Sequence, residues 1–270
     1  MALTQAADFL AESEALHSAL APLGEADFKQ LTQFKGWDIN DVLVHLHFWN
    51  RAADLSARAP DAFGALLERL KAPLASGGLR AFENHEIAAR GRSLRALWIE
   101  NAREMAARWA GFEPKTRLPW AGPSMSARSS ITARQMETWA HGLAVFDALG
   151  LVREEGDRLR NIVVLGCNTF TWSHQVHLRP PPAQMPALHL VAPSGKIWEF
   201  GDKSAGCICG PAVDFAAVIT QTRALADTAL IVEGEVAQGW MQCAQCFAGP
   251  PQTPPAPGTR FRRRSARPWP

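Results

Sequence analysis

The sequence predicts an α+β protein: an antiparallel four-helix bundle over residues 1–150, a smaller α+β domain over 151–249, and a Pro- and Arg-rich disordered tail over 250–270. Three observations predict it. The first 150 residues hold four long segments with apolar residues at helical spacing, joined by short connections. After Gly150 the texture changes to short apolar runs broken by Pro and Gly. From Pro250 onward Pro and Arg dominate, and little apolar surface remains to support a core.

Each element has its own signal. Helix one covers about residues 3–22, with Phe9, Leu10, Leu16 and Leu20 on one broad face. Helix two opens near Trp37 and Asp38. Asp38 suits the N-cap, Asp41 favours the first turn, and the helix runs to about Arg58, before Pro60. A shorter segment, "PDAFGALLERLKAP", follows. A third long helix is expected from Leu79 to Gly111. "FEPKTRLPWAGPSMSARSS" reads as a loop long enough to lie across one end of the bundle. The last long helix opens at Ser129 or Ser130 and stops at Gly150, a C-terminal glycine. Beyond it, "REEGDRLRNIVVLGCNTFTWSHQVHL" is helical until Pro180–Pro182. "ALHLVAPSGKIWEF" is a hairpin and "CICG" a further strand. "PAVDFAAVITQTRALADTALI" and "EVAQGWMQCAQCFAG" return to helical spacing.

Composition excludes several classes. The chain has 270 residues and is 47% apolar, enough for a sizeable core. Its net charge of +2 is too small to argue for nucleic acid. Arg260, Arg262, Arg263, Arg264 and Arg267 crowd the extreme C-terminus, and the remainder is slightly acidic. No stretch approaches the roughly 18–20 apolar residues of a membrane span. The N-terminus carries Asp8, Glu12 and Glu14 without a basic leader, so the expected location is cytoplasmic. Five cysteines in a chain of this length argue against a disulfide framework. Ten Trp and no Tyr mean that acid–base chemistry here does without a phenol.

The chemistry-bearing pattern is "RQMETWAHGLAVFDALG". Glu137 and His141 stand at i and i+4, so both project from one helix face about a turn apart. Ala140, Ala144 and Ala148 lie near the same stripe and leave room for a cavity. In helix two, "DVLVHLHFWN" offers His45 and His47. His45 shares a stripe with Val42, Trp49 and Ala52; His47 lies roughly 200° round the helix. Only one is expected to face the bundle centre, and the apolar neighbours favour His45. Two imidazole nitrogens and a carboxylate form a set that zinc accepts while keeping a fourth position open. Iron, manganese and nickel accept the same donors. The alternative is three separate polar residues with ordinary partners.

Three stretches carry a resemblance: "GWDINDVLVHLHFWNRAADL", "LPWAGPSMSARSSITARQMETWAHG" and "CGPAVDFAAVITQTR". The chain resembles the DinB-like superfamily in its mycothiol-dependent maleylpyruvate isomerase branch, and more closely an uncharacterised metal-binding family related to that branch. The resemblance implies a four-helix N-terminal bundle with a metal near one end, its ligands falling on His45, Glu137 and His141. One departure stands out. The family commonly places Gln and Asp after the ligand histidine in "HGQD", whereas Leu143 and Ala144 stand here, so an acidic contact near the site is missing.

The resemblance implies a metal-dependent, thiol-using isomerase or transferase acting on a small molecule, with a divalent metal and a low-molecular-weight thiol as cofactors. In such chemistry a thiolate adds to a conjugated double bond, the bond rotates, and the thiolate leaves. Trp49, Trp120 and Trp139 would wall the pocket, with the Pro119–Met125 loop covering it; tryptophans more often serve as plain core. Arg134 would hold a substrate carboxylate, or make a surface salt bridge. Metal-assisted hydrolysis is a second reading, and a non-enzymatic metal- or ligand-binding protein a third. A homodimer is left open; neither nucleic acid nor membrane is expected as a partner. Cys207, Cys209, Cys243 and Cys246 read as buried, inert thiols, the last two on a helix, and Cys167 as core.

Overall fold

Asp38 starts the helix around which the first half of the chain is arranged. Its carboxylate accepts from the Asp41 N–H (2.8 Å), and the Asp41 carboxylate accepts from the Asp38 N–H (3.0 Å). This reciprocal cap satisfies two backbone donors. From it α2 runs over Ile39–Arg58. In the computed structural model of the protein, residues 3–259 are described, and they fall into two units that divide after Ala148. The first holds α1 (Gln5–Leu20), α2, α3 (Pro60–Ser76), α4 (Leu79–Glu86), α5 (Gly91–Trp109) and α6 (Ala127–Leu149). Helix α5 packs on α1 and α2, and α2 packs also on α3 and α4.

Helix α2 is buried on nearly every side, through Val42, Leu43, Leu46, Phe48, Trp49 and Ala53. Its second histidine, on the other side of the helix from His45, is buried as well. His47 is 6% exposed, and burial, with Arg51 beside it, lowers its pKa to about 4. A buried carboxylate, Asp54, ties α2 to α5. It accepts from Trp109 Nε1 (3.1 Å) and Arg108 Nη2 (2.7 Å), and from Arg58 one turn along α2 (2.8 Å).

The long helix expected over Leu79–Gly111 is two helices. The chain leaves helical geometry between Glu86 and Gly91. The reason is tertiary: the Gly91 N–H donates to Asn40 Oδ1 on α2 (2.7 Å), and the Glu25 carboxylate lies where any β-carbon on Gly91 would sit. The loop after α5 carries a short antiparallel pair, β1 (Arg117–Leu118) with β2 (Met125–Ser126).

The second unit is a mixed four-stranded sheet with helices. It holds α7 (Arg160–Asn168), α8 (Phe170–Val176), β3 (Pro186–Val191), β4 (Ile197–Phe200), β5 (Asp202–Pro211), α9 (Ala212–Ile219), β6 (Ile231–Glu233) and α10 (Glu235–Met241). Strand order is β4-β3-β5-β6. The hairpin β3–β4 forms around Pro193-Ser194-Gly195 as expected, while β5 runs parallel to β3. Leu188, Leu190 and Ile208 point into a core shared with Phe170, Phe215 and Trp240. Phe170 and Phe215 both meet the Trp240 ring edge-on, at 5.0 and 5.5 Å.

Three expectations need correction here. The helical stretch from Arg153 begins only at Arg160 and is interrupted at Thr169. The helix after Pro211 ends at Ile219, giving way to a turn and β6. Helix α10 ends at Met241, so Cys243 and Cys246 lie beyond it, although both are buried. Residues 250–259 form no helix or strand; the arginine-rich end of the expected tail lies outside the described residues.

Candidate metal centre

Helix α2 supplies His45, and helix α6 supplies Glu137 and His141. One ligand atom from each lies within 4.8 Å of the others. His141 Nε2 is 3.0 Å from Glu137 Oε2, and His45 Nε2 is 3.8 Å from the same oxygen. The two imidazoles meet edge to face at 4.8 Å. Two nitrogens and a carboxylate oxygen thus converge on one point, a donor set that suits a divalent cation with a position left open.

The group that orients His45 was not legible in the sequence. Glu83, on α4 and 1% exposed, receives His45 Nδ1 at 2.9 Å and Trp49 Nε1 at 2.7 Å on the same oxygen. With Nδ1 held on this carboxylate, the ring is fixed so that Nε2 faces Glu137. Glu83 thus puts a buried carboxylate behind His45, not beside His141.

A second unanticipated feature is the turn before α2. Leu31 pairs with Asp38, and the Trp37 N–H closes the turn on the Phe34 carbonyl at 2.9 Å. Lys35 and Gly36 both have positive φ, 52° and 67°, the pattern of a tight hairpin turn. It sets Trp37 parallel to the His141 ring (6.0 Å, 8°) and 5.4 Å from His45, with Phe34 edge-on to His141 at 4.8 Å. Lys35 lies over the Phe34 ring at 5.1 Å. The sequence signal was an aromatic–Lys–Gly–aromatic run directly before a capped helix.

Charge is concentrated here. Burial works against a charged His45, but Glu137 and Glu83 outweigh it and push its pKa up to about 9. Burial likewise opposes a charged Glu137, yet His141 and His45 hold it well below the carboxylate range. For His141, burial and the neighbouring His45 prevail, and its pKa is lowered. Burial lowers Lys35 against the pull of Glu137 and Glu83.

The expected wall residues divide. Trp49 touches His45 (6.3 Å) and Trp120 (5.5 Å). Trp120 stacks on Phe63 (5.9 Å), and the Arg134 guanidinium lies over its ring at 5.6 Å. Arg134 is 5% exposed and reaches Glu137 Oε1 only at 3.8 Å. Its Nη1 has no hydrogen-bond partner, and burial lowers its pKa. It is no surface salt bridge. Trp139 is fully buried; two residues from Glu137, it lies roughly 200° round α6 from it. Leu143 is buried, whereas Ala144 is half-buried.

Comparison with known proteins places this architecture. Two uncharacterized proteins of Mycobacterium tuberculosis, from strains CDC 1551 / Oshkosh and ATCC 25618 / H37Rv, are each 37% identical over 246 residues, 91% of this chain and 95% of theirs. Among solved structures, the mycothiol-dependent maleylpyruvate isomerase and a mutant of it share the fold. Each has a TM-score of 0.54 and 16% identity over 85% of this chain and 93% of that one. The family model for the mycothiol maleylpyruvate isomerase N-terminal domain matches residues 9–146, the helical unit that holds both halves of the site. The chain belongs to the mycothiol maleylpyruvate isomerase N-terminal domain family, within the DinB-like superfamily.

Proposed function

We propose that this protein is a metal-dependent, thiol-using isomerase or transferase acting on a small molecule, with a divalent metal held by His45, Glu137 and His141. The observation that carries the reading is the convergence of these three donors from two helices, with His45 buttressed by a buried carboxylate. Zinc is the first choice for such a set. The reading includes an antiparallel bundle of α1, α2, α5 and α6 as the metal-binding domain, residues 1–150, and residues 151–249 as a separate small domain.

When bound, a divalent cation supplies a fixed positive charge that favours a thiolate and polarises a carbonyl oxygen. The chain's own groups do the rest. Glu83 holds His45 in one tautomer and one ring orientation. Trp37 and Phe34 pack against the imidazoles and exclude water from that flank. Arg134, buried and with an unpaired Nη1, offers N–H donors to an anionic group of the substrate. Trp49 and Trp120 give the same region apolar walls.

Elemental analysis of the purified full chain tests this. About one divalent metal per chain is expected, lost in His45→Ala and in Glu137→Ala while circular dichroism stays unchanged. Thiol binding that disappears on metal removal then supports the thiol-using reading. Equal metal content in wild type and both variants overturns the metal assignment; metal retained with thiol binding indifferent to it overturns the thiol.

A further inference from the structure

Strand β5 carries a feature unrelated to the metal centre. Cys207 and Cys209 alternate with Ile208, which is fully buried, so both thiols lie on the opposite face of the sheet. The expectation of buried, inert thiols does not hold for this pair: both are half-buried, and their Sγ atoms are 3.0 Å apart. Across from Cys207 the face is closed by the buried Ala187, but around Cys209 it is open. Across from Cys209 stand His189, bonded to the exposed Glu199 (2.9 Å), and Ile231, which is 61% exposed. A small molecule can reach the pair.

We propose that Cys207 and Cys209 form a redox-active dithiol that closes to an intrastrand disulfide by exchange with a low-molecular-weight disulfide. The Cys209 thiolate attacks one sulfur of the disulfide, a mixed disulfide forms on Cys209, and the first small thiolate leaves and is protonated. Cys207 then gives up its proton and attacks Cys209 Sγ, displacing the second small thiol. Two protein thiols are oxidised and one small disulfide is reduced to two thiols, so electrons and protons balance.

The order of attack follows from the surroundings. Burial, and then the neighbouring Cys209 sulfur, push the Cys207 thiol up to about 11, which suits Cys207 to the second, resolving step. The strand sets the character of the product. Residues i and i+2 of an extended strand lie about 6.8 Å apart at Cα, the long end of what a disulfide spans. Closing the ring therefore bends β5, and a strained disulfide is easily reduced. Gly206 and Gly210 flank the pair with φ of 97° and 139°. They give the strand two points where a side-chain-bearing residue would resist the bend. The geometry suits a reversible switch better than a permanent staple.

Trypsin cleavage after Lys203 and Arg223 yields a peptide, 204–223, whose only cysteines are this pair. The full chain is treated natively with excess glutathione disulfide, remaining thiols are blocked with N-ethylmaleimide, and the digest is weighed without reduction. The expected peptide is lighter than its reduced form by two hydrogens and free of maleimide, and dithiothreitol reverses the change. Cys207→Ser is expected to trap a glutathione adduct on Cys209. A wild-type peptide carrying two maleimides, or a lasting glutathione adduct, overturns the proposal; so does cross-linking to the peptide of Cys243 and Cys246. The same result in Glu137→Ala keeps this site independent of the metal reading.

Discussion

Glu83 stands outside the triad and holds one of its members by a hydrogen bond. A carboxylate hydrogen-bonded to a metal-ligating imidazole raises the basicity of the ligand and fixes its ring. Glu83→Ala should leave all three ligands in place and weaken metal binding about 10- to 100-fold, measured by competition with a chromophoric chelator; unchanged affinity would show that Glu83 serves only packing. Cys167 illustrates the opposite case, a reactive group disarmed by position. Burial pushes its thiol up to about 12, well above an ordinary cysteine. Only the thiolate is alkylated, so at pH 8 iodoacetamide should modify Cys167 in the native chain about a thousandfold more slowly than in urea. The sign also bears on stability. A thiol whose folded pKa is raised binds more protons native than unfolded above pH 9, so stability falls as pH rises toward 12, and Cys167→Ala should flatten that slope. Native labelling as fast as denatured labelling would mean that the fold does not shield this sulfur.

At the scale of elements, local chemistry was readable and tertiary chemistry was not. Asp38 as N-cap, Pro60 at the first turn of α3 and Gly150 after α6, with φ of 67°, all stand where sequence placed them, because caps and prolines act through their nearest neighbours. The split between α4 and α5 was invisible because it is set by Asn40 and Glu25, dozens of residues away. Glu83 was invisible for the same reason: on an unbroken helix it reads as one more surface acid. The β6 strand after α9 was missed because "ADTALI" keeps enough apolar spacing to extend a helix on paper. Where α2 meets α5, Asp54→Ala strands the fully buried Trp109 N–H and releases Arg108. Because both arginine partners keep water contact, a loss of about 2–3 kcal/mol is expected in chemical denaturation. A loss below about 0.5 kcal/mol would relegate the Asp54 cluster to a solvated surface pair.

On the scale of the whole molecule, the division after Ala148 separates two kinds of chemistry: imidazole and carboxylate in the first unit, thiol in the second. Periodicity offered an i, i+4 pair and a histidine on an apolar stripe as candidates, and the resemblance carried by the three quoted stretches grouped them into one set. The aromatic turn over it was not, since Phe34 and Trp37 gain meaning only once His141 arrives from α6. No helix among the described residues is long and apolar enough to cross a membrane. Indoles surround the triad at close range, Trp37 against His141 and Trp49 on the carboxylate that steers His45. The molecule thereby carries its own optical gauge. Titrating zinc should shift intrinsic emission in step with loading, and Trp49→Phe should remove part of that signal while leaving the stoichiometry intact, so that a label-free fluorimeter can follow binding at the triad.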